Sequence, residues 1–203
     1  MDSNELLQRY ADGERDFTQL ALPLANLSEV NLSNAILPFS NLSGANLNLA
    51  VLNKANLHQS NLATASMWRV DLQDANLTQS NLDRTRLIRA NLSRANLCQA
   101  YLSKANLRLA NLQGVNLQGA NLSDADLRFA DLTNANLTQA NLSRADFTGA
   151  KLATANLKGA RLMGAILTRV DLSQVQLSEA HYSGHQQALD APPSPLEDTR
   201  TVV

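Results

Sequence analysis

The chain has 203 residues, a formal net charge of −1, and only 4% aromatic residues. This near-neutral balance excludes a strongly charged chain whose net charge alone would bind or imitate nucleic acid. No apolar run is long enough to span a membrane, the first five residues lack a signal-peptide profile, and the lone Cys98 excludes an internal disulfide. We therefore expect a cytoplasmic protein with no membrane partner.

The first predicted element is a short helix within residues 1–15. Ser3 or Asn4 is a candidate N-cap, the helix covers about residues 4–12, and Gly13 ends it. The side chains expected to cover the first edge of the next element are Leu6, Leu7 and Tyr10.

Residues 16–182 follow one rule, a leucine at every fifth position. The leucines run from Leu22 to Leu177 with two substitutes, and the frame from Phe17 to Tyr182 holds 34 units without an insertion. Five residues turn an α-helix by about 500°, which would scatter the leucines around it. In a strand, an odd period would send them to alternate faces. A coil that turns a corner once per unit directs them all to one axis, so the pattern predicts a solenoid.

Glutamines two residues after a central leucine indicate how many units form one coil. We call five of them the Gln column: Gln19, Gln59, Gln79, Gln99 and Gln139. They differ by multiples of 20, so four units per coil would stack them where their amides can bond to one another. A three-unit coil would scatter them. The column predicts a four-sided coil of 20 residues and about eight coils, roughly 40 Å in length.

Most units also have a small residue two positions before the leucine, usually with Asn or Asp between them. The resulting pattern, A-(N/D)-L-x-x, resembles that of the pentapeptide-repeat family, as in Ala45-Asn46-Leu47 and Ala75-Asn76-Leu77. The resemblance implies an all-β fold, a right-handed quadrilateral parallel β-helix. The unbroken frame and the opening segment are similar to cyanobacterial members, among them the regulator of heterocyst differentiation. A family name fixes the fold and leaves the function open.

The two ends depart from the repeat. Near the first end, apolar residues take outward positions, which we interpret as a docking patch for the helix: Leu20, Ala21, Pro23, Leu24, Ile36, Pro38 and Phe39. At the other end, residues 183–203 are predicted to form a short cap at Ser183 and Gln186 and then a disordered, proline-rich tail.

No residue pattern predicts catalysis. His181 and His185 have helical spacing but no cysteine partner, which is weak as a metal site, and His58 is far from both. No serine, base and acid converge, and glycines are too scattered for a phosphate-binding loop. We expect no enzyme activity, no cofactor and no metal.

Outward residues that break the polar pattern collect on one side of the predicted coil. We call this set the Trp/Arg wall: Leu49, Trp68, Arg69, Arg86, Ile88, Arg89, Arg108, Leu109, Arg128 and Phe129. Trp and Arg are enriched in binding hot spots, and a contiguous exposed apolar patch indicates an interface. The alternative interpretation is that arginine stems cover stray apolar side chains, with an arginine stacked on Trp68.

The sequence therefore predicts a non-enzymatic scaffold or regulator that presents the Trp/Arg wall to a protein partner. A DNA mimic that binds DNA gyrase, as in some family members, is one alternative. The coils hold 14 Lys/Arg against 10 Asp/Glu, which is the wrong sign for such mimicry. Direct binding of nucleic acid by the arginines is another alternative, less favoured because of the apolar residues. We expect a monomer or a weak end-to-end dimer, and the partner's identity stays open.

Overall fold

A helix and a long solenoid make up the computed structural model, which describes residues 1–181. The end of the frame at Tyr182, the cap predicted at 183–186 and the predicted tail lie outside the described residues.

The helix α1 spans Ser3–Ala11 and begins one residue earlier than predicted. Asp2 is its N-cap, because the Asp2 carboxylate accepts the backbone N–H of Glu5 at 2.9 Å. The prediction of Ser3 or Asn4 as the cap is therefore wrong. Gly13, with φ of 98°, follows the end of the helix in the left-handed conformation that favours glycine.

The helix lies against the first edge of the solenoid. Leu6 is fully buried, and Leu7 and Tyr10 pack partly against the same core. The Tyr10 hydroxyl donates a hydrogen bond to the carbonyl of Ser33 at 2.8 Å. This contact fixes α1 on the first coil and covers part of an otherwise open edge.

Parallel bridges join residues 20 apart along the solenoid, from Asp16 with Ile36 to Arg161 with His181. Each side of a coil supplies one bridging residue rather than a longer strand, and a two-residue corner follows each side. An interval of 20 residues is four units, so the four-sided coil predicted from the Gln column is confirmed. The right-handed sense implied by the resemblance stays a prediction.

The unit around Leu107 shows how the backbone fixes every repeat. Its bridging residue donates to the coil before it, its leucine and its corner residue donate to the coil after it, and a fourth bond closes the turn. The N···O distances are 2.9 Å for Asn106 to Thr85, 2.7 Å for Leu107 to Asp126, 3.0 Å for Leu109 to Arg128 and 3.0 Å for Ala110 to Leu107. The Asn106 side chain also accepts the N–H of Arg108 at 3.3 Å, which explains why Asn or Asp recurs there.

The second corner residue of a unit, Gln174 excepted, has a left-handed backbone in the described solenoid whether or not it is glycine. Leu109 and Phe129, for example, both have φ of 58°. The left-handed region costs an ordinary residue about 1–2 kcal/mol, which the repeated hydrogen bonds and the core must offset. Because the corner tolerates any side chain, its residue types can vary with function.

The leucines and the small residues before them fill the interior, and from Leu22 to Leu162 the central positions are buried. Each buried leucine contributes about 1.5–3 kcal/mol before the entropy of ordering is counted. Thr85 replaces an inward alanine, and its hydroxyl donates to the carbonyl of Leu82 at 2.7 Å. The buried hydroxyl therefore has a backbone partner.

The docking patch predicted for the helix is mostly wrong. Leu24 is 81% exposed, Phe39 is 52% exposed and Ile36 is 39% exposed. Leu20, in contrast, occupies an inward position and is buried. The physical reason is that α1 covers the open end of the first coil, where the core would face solvent, and leaves the sides of the coil uncovered.

The last coil is looser than the others. Its central residues Leu167, Leu172 and Leu177 are only partly buried. Bridges form between Asp146 and Ile166 and between Asn156 and Gln176, but none is present between Lys151 and Asp171 in the described part of the chain. A cleft of about 330 Å³ opens there between the last two coils.

Candidate functional site

The ten residues of the Trp/Arg wall occupy outward positions on one side of the solenoid. Counting coils of 20 residues from residue 17, Leu49 lies in the second coil and the other nine lie in the third to the sixth. Trp68 is 40% exposed, Leu109 is 44% exposed and Phe129 is 52% exposed. Ile88 is half-buried, so it contributes less to the surface than its position predicts.

The rows of the wall are held at a fixed spacing by backbone hydrogen bonds. The second corner residue of each row donates its N–H to the carbonyl of the first corner residue in the next coil. These distances are 2.9 Å for Leu49 to Trp68, 3.0 Å for Arg69 to Ile88, 2.9 Å for Arg89 to Arg108 and 3.0 Å for Leu109 to Arg128. The wall is therefore a set of side chains on a rigid frame, about 4.8 Å from row to row.

Trp68 is positioned by two residues that the sequence did not single out. The Asn48 side-chain oxygen accepts the backbone N–H of Trp68 at 2.8 Å and the Ser66 hydroxyl at 3.0 Å. Ser66 stands where Asn normally caps the turn, so Asn48, one coil earlier, replaces that cap. The guanidinium of Arg69 lies 5.3 Å from the centre of the Trp68 ring, a cation–π contact.

The same replacement occurs at Tyr101, which also stands where Asn is usual. There the Asp83 carboxylate, one coil earlier, accepts the N–H of Ser103 at 2.9 Å. These caps therefore have a sequence signal. It is a bridging residue that is neither Asn nor Asp, with an Asn or Asp 18 residues before it.

Arg128 differs from the other arginines of the wall because it is paired. Its guanidinium donates to both oxygens of Asp126, at 2.8 and 2.6 Å, and lies 3.7 Å from Asp146. Burial raises the pKa of Asp126, but the hydrogen bonds from Arg128 together with the positive charges of Arg128 and Arg108 outweigh burial, and the net pKa is lowered. Part of the hydrogen-bonding and charge-pairing capacity of the Arg128 guanidinium is thus used inside the protein.

The remaining arginines of the wall are Arg69, Arg86, Arg89 and Arg108, all on or near the surface. Among residues 1–181, none of these four forms an ion pair. On other sides of the solenoid, Arg94 binds Asp74 at 2.7 Å and Arg144 binds Asp124 at 2.6 Å, whereas Arg84 and Arg161 form no ion pair within residues 1–181. Arginines without an ion pair are therefore not confined to the wall, but they are most numerous there, beside Trp68.

Other candidate sites offer less. No three His, Cys, Asp or Glu side chains of residues 1–181 gather where they could hold a metal ion. His58 instead packs edge-on against Phe39, with ring centroids 5.7 Å apart. Over the same residues, no helix has the length and apolar character needed to cross a membrane. Cys98 is a free thiol and is half-buried.

The family assignment follows from this repeat. The family model for pentapeptide repeats matches the chain in eight copies. The matched residues are 25–63, 65–103, 90–128, 120–159 and 145–181. The chain belongs to the pentapeptide-repeat family.

Solved structures of family members give points of reference. The chain is 31% identical to HetL, a protein involved in heterocyst differentiation regulation in the cyanobacterium Nostoc sp. strain PCC 7120, over 89% of this chain and 94% of HetL, with a TM-score of 0.45. It is 37% identical to a pentapeptide repeat protein from the Arabidopsis thaliana thylakoid lumen, over 48% of this chain and 68% of that one, with a TM-score of 0.47.

A more distant match is QnrB1, a plasmid-mediated fluoroquinolone resistance protein. It is 16% identical over 86% of this chain and 96% of QnrB1, with a TM-score of 0.42. Curated proteins give no match.

Proposed function

We propose that the protein is a non-enzymatic interaction scaffold or regulator, and that the Trp/Arg wall is its binding surface for a protein partner. The observation that supports this most is the concentration of unpaired arginines around exposed Trp68, Leu109 and Phe129 on one rigid side. An arginine without a counter-ion can give charge-assisted hydrogen bonds to an acidic partner group. The exposed aromatic and aliphatic side chains can supply the buried area of a hot spot.

The sequence relationship to HetL is compatible with a regulatory role, since HetL takes part in heterocyst differentiation regulation. The partner of this chain is identified here only by the chemistry of the wall. An acidic, partly apolar protein surface is what the wall complements.

Direct contact with nucleic acid is the second candidate, and the four unpaired arginines favour it. Phosphate groups would compensate their charge, and such binding would weaken steeply with salt. Four of the wall's exposed positions are apolar, Leu49, Trp68, Leu109 and Phe129, and a phosphate backbone does not use such side chains. Imitation of DNA toward gyrase is disfavoured because the coils hold 14 Lys/Arg against 10 Asp/Glu.

Quantitative capture tests the proposal. The wild-type chain, a Trp68→Ala/Arg89→Glu variant and a Gln79→Ala/Gln99→Ala variant are immobilised at equal density, and bound proteins are compared. The wall variant should lose a specific protein that the wild type and the glutamine variant both retain. The capture is repeated after nuclease treatment. A partner that is still retained contacts the wall directly, whereas a partner that is lost was held through a nucleic acid. Equal recovery by all three chains would reject the wall as the interface.

A further inference from the structure

The Trp/Arg wall repeats one chemical unit per coil. Each of four consecutive coils presents one arginine and one apolar residue at adjacent corner positions. The arginine comes second in the first two coils and first in the next two: Trp68 with Arg69, Ile88 with Arg89, Arg108 with Leu109, and Arg128 with Phe129. Because Arg128 is paired with Asp126 and Ile88 is half-buried, a partner needs acidic groups opposite the first three rows and apolar groups opposite the first, third and fourth.

The row spacing limits the shape of the partner. Rows lie about 4.8 Å apart, so the first and fourth are separated by roughly 14 Å. A helix rises about 5.4 Å per turn, or roughly 16 Å over three turns. In an extended strand, residues on the same face are about 6.7 Å apart, or roughly 20 Å over three steps. The helix is out of step by about 2 Å at the last row, where its contact is with the Phe129 ring, whereas the strand is out of step by more than one row.

We infer that the wall binds an α-helix that lies along the solenoid axis and presents one acidic and one apolar side chain per turn; this rests on the proposed function. Arg69, Arg89 and Arg108 bind the acidic groups, since no carboxylate of residues 1–181 is paired with them. Trp68, Leu109 and Phe129 contact the apolar groups, because each is at least 40% exposed.

The chain contains its own reporter for this contact. Trp68 is the single tryptophan of the sequence and lies within the wall. The probe is a synthetic, tryptophan-free helical peptide of about five turns, with one Glu and one Leu per turn on one face. The first control peptide carries two prolines on the opposite face, which break the helix. The second control has Lys in place of Glu. Binding is followed by the emission of Trp68.

We expect the helical acidic peptide to change Trp68 emission saturably, with a Kd at least tenfold lower than that of either control. Arg89→Glu in the protein should raise this Kd at least tenfold, and Gln79→Ala should leave it unchanged. If the proline peptide binds equally well, the partner is an extended segment rather than a helix. If the lysine peptide binds equally well, the acidic side chains do not contribute to binding.

Two further outcomes overturn the inference. One is the absence of saturable change with any peptide. The other is tighter binding of a DNA duplex than of the helical peptide, which would favour nucleic acid as the occupant. The capture comparison between wall and glutamine variants is independent of these peptides. A failure of the helix inference alone is therefore recognisable, because capture would still depend on the wall.

Discussion

The Trp/Arg wall and the Gln column stand on the same backbone and are both exposed, but they differ in whether their polar side chains bond to one another. In the column, the Gln59 amide donates to Gln79 at 2.7 Å, and Gln79 donates to Gln99 at 2.8 Å. These side chains bond to one another, as predicted. In the wall, Arg89 has a polar group of the same reach but no ion pair within residues 1–181.

Because the glutamines bond to one another and Arg89 has no ion pair in the described part of the chain, the two surfaces are expected to contribute differently to stability and to binding. Both surfaces are built on identical backbone bonds and on the same buried leucines, so neither needs its side chains to form the coil. The column uses its hydrogen-bonding groups internally, whereas the wall leaves them available. Substitutions in the two regions should therefore affect different quantities.

The largest effects should be equal in the two regions, because they concern the shared core. Leu107 lies beneath the wall and Leu97 beneath the Gln column, and both are 0% exposed. Leu107→Ala and Leu97→Ala should each lower the free energy of unfolding by about 2–5 kcal/mol through lost burial and a cavity. Chemical denaturation measures this. A Leu107→Ala protein as stable as wild type would contradict the inward assignment beneath the wall.

Two corner glycines give a smaller and more selective effect. A Cβ at position 149 would lie 2.7 Å from Cδ1 of Phe129, whereas a Cβ at position 119 would lie 3.6 Å from Cγ of Gln99. Both positions have positive φ, 68° and 65°, so an alanine costs about 1 kcal/mol of backbone energy at either. Gly149→Ala must also displace the Phe129 ring.

We therefore expect Gly149→Ala to weaken partner binding, while Gly119→Ala costs similar stability and leaves binding intact. Unfolding and partner capture, measured on both variants, separate the two effects. Equal partner binding by the two variants would indicate that the Phe129 ring does not contribute to the interface.

Among surface substitutions, the loss of the Gln79 amide should lower the free energy of unfolding more than the replacement of the charged Arg89. Gln79→Ala removes two side-chain hydrogen bonds and should cost about 0.5–1 kcal/mol. Arg89→Glu removes none and places a carboxylate among unpaired arginines, so stability should stay within about 0.5 kcal/mol of wild type. Urea unfolding of the two variants makes the comparison. An Arg89→Glu protein less stable than Gln79→Ala would mean that Arg89 has an internal structural role.

The smallest expected effect is on the stability of the fold at acidic pH. Hydrogen bonds from Arg144 lower the pKa of Asp124, and hydrogen bonds from Arg94 lower the pKa of Asp74. A folded-state pKa below the unfolded value stabilises the fold above the unfolded pKa of about 3.9, and this stability is lost as the pH falls through the folded pKa. Arg144→Leu should flatten the acid side of the stability profile, and Arg89→Leu should not. Identical acid profiles for these variants would contradict the difference between paired and unpaired arginines.

The sequence was sufficient to predict the fold because a five-residue period has few physical solutions. The stacking of Gln59, Gln79 and Gln99 also followed from their spacing alone. The details that failed depend on local geometry. The choice of Asp2 over Ser3 as helix cap depends on which side-chain oxygen reaches the N–H of Glu5, and the exposure of Leu24 depends on which surface α1 covers.

The Trp/Arg wall could be located from the period, but not its division into paired and unpaired arginines. Arg128 and Arg108 have the same position in successive coils, yet only Arg128 reaches both Asp126 and Asp146. The bridging residues beside them differ by a single atom type, Asp126 against Asn106. The role of Asn48 beneath Trp68 could be found from the sequence only after the 20-residue coil was known, because its signal is an Asn 18 residues before the bridging residue Ser66.

Hydroxyl-radical footprinting of the chain with and without its captured partner tests the central claim most directly. Trp68 is 40% exposed and Phe129 is 52% exposed on the wall, and Tyr101 is 54% exposed on another side, so their exposures are comparable before binding. The account predicts that the partner protects Trp68 and Phe129 from oxidation and leaves Tyr101 as reactive as before. Protection of Tyr101 with unchanged reactivity at Trp68 and Phe129 would contradict it.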